Sequence, residues 1–498
     1  MRLLGLKFVA FCLWAVVVAP SAFAQPDGKP TKVEKEETWQ VVYVGGHRIG
    51  FTHSLVEPIT QDGKSLVRTS SITKTTIKRI GQPLVMTQTV TTEETLEGDM
   101  LRFTYGVENP PASPTTTVGT VDGELLKLKQ TVNGKVKEST QPWKTSVKSP
   151  AFQDRAMRDA PLKPGEKRTF EAFMPEFNKV ATIKLDAVDL EETTMVDGKA
   201  RKLLKVKVTQ SVIPGLVLSG FVDDRGETQK TATNMLGVEM LTYLVSKDEA
   251  MKAISGAELD LAVSTLAKVK PIPNAHKASS IKYRISIKGQ GIDGVLPAGE
   301  SQAVKKISDD TVEVTVTSLA IPEKATIKPV EKEYLAASQY LQSDDERVIE
   351  HATKAAGDAT DPGQMARRME KYVHEKLEKK NFSTAMASAG EVAKNLEGDC
   401  TEHAVLLAAM LRAKGIPSRV AVGLVYVDSL SAFGGHMWTE ANLDGRWIPL
   451  DATLGRGGIG AGHLKLSDSS LSDDGPGALS SFAPLMLVIG QLKIEVIE

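Results

Sequence analysis

From Glu36 to about Ala250 the chain repeats one local pattern: runs rich in Val and Thr, separated by Gly45-Gly46, Asp62-Gly63, Asp122-Gly123, Asn133-Gly134 and Asp197-Gly198. β-Branched side chains fit the pleated surface of a strand, and a Gly-Gly or Asx-Gly pair supplies the positive φ of a two-residue hairpin. Helical periodicity is not sustained across this stretch. The pattern therefore argues for successive antiparallel strands rather than a parallel sheet with crossover helices, and for a large antiparallel β domain over 36–250.

Two segments precede it. Arg2 and Lys7 bracket the start of an apolar run, Phe8 to Ala19, that ends in the small residues of Ala22-Phe23-Ala24, which predicts a signal peptide over 1–24. The run is about half the length that spans a bilayer, and no second long apolar stretch follows. Cys12 leaves with the leader and lacks the preceding small residues of a lipoprotein processing site. The expected location is periplasmic or extracellular. Residues 25–35, polar and rich in Pro and Lys, read as a disordered linker.

Beyond the β domain, Ser246 to about Val269 reads as helical, and Pro271 and Pro273 break it. Ile281, Tyr283, Ile285 and Ile287, then Val312, Val314 and Val316, alternate with polar residues, which predicts a small β-rich unit over 251–330. The formal net charge of −1 gives no bulk attraction to nucleic acid, which is not expected as a partner. Aromatic residues are only 5% of the chain, too few to favour carbohydrate stacking on the strands. The β region is open to binding a polymer, a peptide or a partner, or to gating the active site.

The pattern changes over 331–498. Ser343 and Glu346 have capping-box spacing, and Asp361-Pro362 opens a helix whose Met365, Met369, Tyr372, Val373 and Leu377 form one apolar stripe. A third helix is expected to begin at Cys400, the only cysteine after the leader, with Asp399 and Glu402 in a capping box and Gly415 and Pro417 beyond its end. At the first helical position a thiol feels the positive end of the helix dipole, and the Cys400 amide can donate to an oxyanion. The neighbouring carboxylates oppose thiolate formation, so a histidine partner is required.

Strands are expected at 419–427, 436–443 and 446–451. The Asp444-Gly445 turn pairs Leu443 with Arg446 and, counting back, Trp438 with Asp451. His436 and Asp451 then share a face as diagonal neighbours. Cys400, His436 and Asp451 are the candidate catalytic residues. Taken singly, each has a plainer role: a buried thiol, a packed histidine, a turn cap. A metal centre from Cys400, His403, His436 and His463 competes with the triad, but one thiol without paired zinc spacing counts against it. No metal or cofactor site is expected.

The stretch 398–453 combines Gly398-Asp399-Cys400, Gly415-Ile416-Pro417, Gly435-His436-Met437-Trp438 and Asp444-Gly445 with Trp447 and Leu450-Asp451-Ala452-Thr453. It resembles the transglutaminase-like superfamily. That resemblance implies a papain-like fold for 331–498 and an α+β chain overall, with Cys400, His436 and Asp451 as a catalytic triad. The implied chemistry is cysteine-dependent attack on a peptide or protein amide bond through a thioester. Nothing resembles a calcium loop, and animal transglutaminases place an oxyanion-stabilising tryptophan upstream of the cysteine, whereas Trp438 and Trp447 both follow Cys400. Hydrolysis as an exported amidohydrolase or protease is therefore expected ahead of transamidation. The alternative from another class is a non-catalytic binding or assembly protein working through its β domains.

Overall fold

The computed structural model describes residues 33–497 except 80, 133, 214, 236, 253–259, 261–264, 288–290, 380, 382–385 and 474–480. The expected leader lies outside the described residues, as does most of the 25–35 linker; at its end, Val33 packs against Val56 and Val67.

The Val/Thr-rich half forms one antiparallel sheet. Its strands are β1 (Glu36–Val44), β2 (His47–Gln61), β3 (Lys64–Arg79), β4 (Gln82–Glu94), β5 (Met100–Glu108), β6 (Thr115–Asp122), β7 (Leu125–Val132) and β8 (Lys135–Pro142), then β9 (Lys167–Met174), β10 (Lys179–Thr194), β11 (Ala200–Gln210), β12 (Val217–Val222), β13 (Thr228–Met235) and β14 (Val238–Val245). Neighbours in sequence pair throughout β1–β8 and β9–β14, and β14 returns to pair with β1. Asp62 and Gly63, at φ 50° and 74°, supply the two left-handed positions that a tight hairpin needs. Two turns differ in detail from expectation. Asp122 pairs with Leu125, so Gly123-Glu124 make that turn, and Asp197-Gly198 sit in a longer loop between Thr194 and Ala200.

The sheet curls until its two halves meet. Lys148 is bridged to Asp99 on one side and to Ala172 of β9 on the other, and Phe173 packs against Phe103 of β5 at a centroid distance of 4.9 Å. Helix α1 (Phe152–Asp159) follows that junction, with Arg155 on Glu94 at 3.0 Å, both fully buried.

The helix expected from Ser246 to about Val269 is seen only as α2 (Lys247–Ala250). Residues 253–259 and 261–264 of it lie outside the described set. Ala267–Lys268 form a short strand, β15, because they pair with an edge that helix propensity cannot override. The alternating segments form β16 (Ser280–Ile287), β17 (Gln302–Lys306) and β18 (Thr311–Thr317), followed by the two-residue β19 (Leu319–Ala320).

The C-terminal part contains α3 (Glu346–Ala356), α4 (Pro362–Lys376), α5 (Ala389–Asn395), α6 (Cys400–Ala413) and α7 (Ala483–Val488), with strands β20 (Ser418–Val427), β21 (Ala432–Leu443), β22 (Arg446–Leu450), β23 (Gly458–Ile459), β24 (His463–Ser469) and β25 (Leu492–Val496). Asp345 rather than Ser343 caps α3, its carboxylate accepting from Arg347 N at 3.0 Å, while Ser343 N is turned back onto the Leu341 carbonyl. In α4, Met369, Val373 and Leu377 of the expected stripe are fully buried and Met365 and Tyr372 partly so. Helix α6 is buried from Cys400 through Arg412, which makes it the central helix of this layer. It packs on the sheet β15-β21-β20-β24, with β22 hydrogen-bonded to β21. One apolar core runs from Val42, Val44, Leu84 and Met86 of the curled sheet into Met369, Val373 and Cys400. Among the described residues no helix is long and apolar enough to cross a membrane.

Candidate active site

The start of α6 places the thiol. The Asp399 carboxylate accepts from Thr401 N at 2.8 Å, and Glu402 Oε2 accepts from Asp399 N at 2.8 Å, completing the capping box. Glu402 Oε1 also accepts from Ala387 N at 3.0 Å, so the cap ties the preceding segment down. Gly398, at φ +147°, lets the chain pass the Glu402 side chain, which a β-carbon there would meet at 2.4 Å. Cys400 is the first residue of the helix, fully buried and free of disulfide. His403 turns back along the same helix, its Nδ1 donating to the Asp399 carbonyl, a packed role rather than a ligand's.

The base and its orienter come from β21 and the end of β22. Leu443 pairs with Arg446 and Thr439 with Leu450, the register expected from Asp444-Gly445, whose φ values are 57° and 80°. His436 Nε2 donates to Asp451 Oδ2 at 2.9 Å, with both side chains buried. Thr439 Oγ1 donates to the Ala404 carbonyl at 2.9 Å, pinning the first turns of α6 to the strand that carries His436. His436 Nδ1, the nitrogen turned away from Asp451, is buried and makes no hydrogen bond among the described residues.

The match to known proteins lies over this assembly. Residues 350–452 fit the model of the Transglutaminase-like superfamily. The chain carries a transglutaminase-like domain. Three solved structures have weaker likenesses. A candidate cysteine protease from Cytophaga hutchinsonii is 17% identical over 43% of this chain and 83% of its own, TM-score 0.30. A β-barrel-like protein of a domain family of unknown function from Brucella abortus is 12% identical over 42% and 96%, TM-score 0.30. The periplasmic domain of TgpA from Pseudomonas aeruginosa, bound to ethylmercury, is 17% identical over 36% and 74%, TM-score 0.24. No curated protein matches the sequence.

Asp451 also gathers a residue that the sequence offered only as a metal ligand. His463, at the start of β24, places its Nε2 at 2.9 Å from the same Asp451 Oδ2. Asp451 Oδ1 accepts from Thr453 N at 2.9 Å and Leu454 N at 3.3 Å. Burial alone would raise the Asp451 carboxyl, but the charges and hydrogen bonds of His436 and His463 outweigh it and hold it well below the usual range. Burial pushes His463 down to about 4 against the opposing pull of Asp451, so at neutral pH it is a neutral donor. His436, Asp451 and His463 bring three donor atoms within 4.8 Å of one another, the one group among the described residues able to hold a metal ion. Both imidazoles spend Nε2 on the carboxylate, and the Nδ1 of each is buried with no hydrogen bond among the described residues.

Glu370 lies behind Asp451. On α4 and fully buried, it accepts through Oε1 from Asp451 N and Gly458 N, each at 3.1 Å. Burial, with the Asp451 charge adding to it against the backbone donors, raises its carboxyl to about 7. The available signal was a glutamate set beside Met369 within an apolar stripe. For His463 no spacing rule relates it to Asp451. Trp438, two residues after His436, stacks on it at 6.2 Å with 23° between planes and meets His463 edge-on at 5.3 Å. Its indole Nε1 is buried and makes no hydrogen bond among the described residues.

Proposed function

We propose that this protein is an exported cysteine hydrolase, working in the periplasm or outside the cell, that cleaves amide bonds in peptides or proteins. The observation that carries the reading is the His436–Asp451 hydrogen bond at 2.9 Å, on a strand fastened to the helix that Cys400 begins. A helix bearing the thiol, packed on an antiparallel sheet bearing base and orienter, is also the papain-like arrangement. In the proposed reaction, His436 Nδ1 takes the Cys400 proton and the thiolate attacks the amide carbonyl. The C–N bond breaks as the same proton passes to the leaving amine, leaving a thioester. Water, deprotonated by Nδ1, then attacks the thioester, releasing the acid and restoring the thiol. Asp451 holds the imidazole with Nδ1 facing the thiol and offsets its charge. The start of α6 supplies one oxyanion donor and the unbonded Trp438 Nε1 the second.

The test is iodoacetamide labelling of the mature chain between pH 5 and 9, with wild type compared to His436→Ala. Cys400 is fully buried, so activation is read from the shape of each pH profile rather than from its absolute rate. Fast labelling near pH 6 that collapses in H436A supports the pair; identical profiles with an ordinary thiol midpoint overturn it. On an amide substrate, Cys400→Ala is expected to abolish turnover. An added primary amine appearing in the product in preference to water would make the enzyme a transamidase.

A further inference from the structure

The curled sheet forms a partly open cavity of about 160 Å³ whose lining includes none of the proposed catalytic residues. One wall comes from β3 and β4, where Thr69, Gln88 and Thr92 are 4%, 8% and 2% exposed. Thr69 Oγ1, Gln88 Oε1 and Thr92 Oγ1 make no hydrogen bond among the described residues. The facing wall comes from β9 to β12 and is mainly apolar, with Phe170, Met174, Ile183 and Leu218; Gln210 of β11 also lines it, its oxygen already accepting from Val212 N and Ile213 N. These strands are separated in the sheet by β2, β1, β14 and β13, so only the curl brings the walls together. No lysine or arginine lines the space, and its one acidic residue, Glu176, is pushed up to about 7 by burial.

An apolar cavity stays dry and a polar one fills with water, each satisfied without a ligand. A cavity with three unbonded polar groups on one side and hydrocarbon on the other is satisfied by neither. We propose that it binds a small uncharged amphiphile, with its apolar body against Phe170, Met174 and Leu218 and an amide or hydroxyl head against Thr69, Gln88 and Thr92. Below about pH 7, where Glu176 keeps its proton, charge is excluded because a cationic or anionic head would be buried with no counter-ion in the lining. The volume is close to the roughly 150 Å³ that accommodates benzene, so the enclosed part is a ring or a short chain.

The test is displacement of N-phenyl-1-naphthylamine fluorescence from the full mature chain at pH 6, where Glu176 is mainly protonated, using octanamide, octanoate and octylammonium as competitors. Octanamide is expected to displace the probe at concentrations about tenfold or more below either ion, the cost of burying an unpaired charge. Gln88→Leu combined with Thr92→Val should raise the octanamide requirement about tenfold by removing two hydrogen bonds, while probe affinity stays within about twofold. Ala172→Phe should abolish probe binding by filling the space; if that chain fails to fold, the Gln88 and Thr92 readout still decides. The proposal is overturned by the absence of displaceable fluorescence, by ions competing as well as octanamide, or by an unchanged octanamide requirement in the polar-wall variant, which would mean that water alone serves these groups.

Discussion

His436 and His463 direct their Nε2 atoms at one oxygen, Asp451 Oδ2, each at 2.9 Å. Neutral His463 competes with His436 for the same lone-pair region, which tempers the field that Asp451 exerts on the proposed base. Replacing His463 by Phe keeps an edge against Trp438 and removes the second donor. Thiol labelling is then expected to persist to lower pH than in wild type, and kcat to fall several-fold through a loosened carboxylate, far less than in H436A. His463→Gln, which restores an N–H donor, should return the profile toward wild type. A pH profile unmoved by the Phe variant would show that the second hydrogen bond is packing alone.

Trp438→Phe separates stacking from hydrogen bonding. The ring against His436 is retained and the indole N–H lost. With this N–H as an oxyanion donor, kcat should fall by about 10²-fold with KM nearly unchanged, and alkylation of Cys400, which develops no oxyanion, should stay near wild type. Equal loss in both assays would assign Trp438 to structure.

Glu370 makes a stability prediction with a definite sign. Its carboxyl is raised to about 7 in the folded chain from 4.5, so between those values the unfolded chain releases a proton that the native one keeps. Its contribution is full below pH 4.5 and is lost as pH rises through about 7, by roughly 3 kcal/mol. Glu370→Gln keeps an acceptor for Asp451 N and Gly458 N without titrating. Thermal melts should show the variant gaining on wild type between pH 5 and pH 8; a constant difference would mean that the Glu370 carboxyl is ordinary in the folded state.

Gly398→Ala tests how tightly the thiol is set. Its φ of +147° and the 2.4 Å approach to the Glu402 side chain force either the backbone or the cap to shift. Loss of the cap costs about 1 kcal/mol, seen as a lowered Tm. Displacement of Cys400 should lower turnover at least about tenfold. Full activity with an unchanged Tm would show that the cap does not position the sulfur.

Short-range chemistry was legible in the sequence. Asp444-Gly445 dictated a register, the register put His436 and Asp451 on one face, and Asp399 with Glu402 marked where α6 begins. The hairpin signals likewise gave the antiparallel character of the first half. The contacts that escaped join elements far apart in the chain: Glu370 reaches Asp451 N from helix α4, His463 arrives from β24, which β20 separates from the strand carrying His436, and the curl that faces Thr92 toward Leu218 is a sum of strand twists that no local pattern records. Helix α5 was missed because it is short, and at the end of the 246–269 segment sheet pairing at Ala267–Lys268 outweighs helix propensity.

Ile285 of β16 pairs with Ile494 of β25, and Tyr283 of β16 donates to the Ala461 carbonyl and packs edge-on to Phe433, three residues before His436. The layer behind the proposed base is thus closed by Leu492–Val496, a segment synthesised after every residue of the site. A nascent chain on the ribosome holds all the reacting groups before it holds the strand that seals them. Chain order therefore puts the sealing strand last, so the layer behind His436 closes only once Val496 has been made.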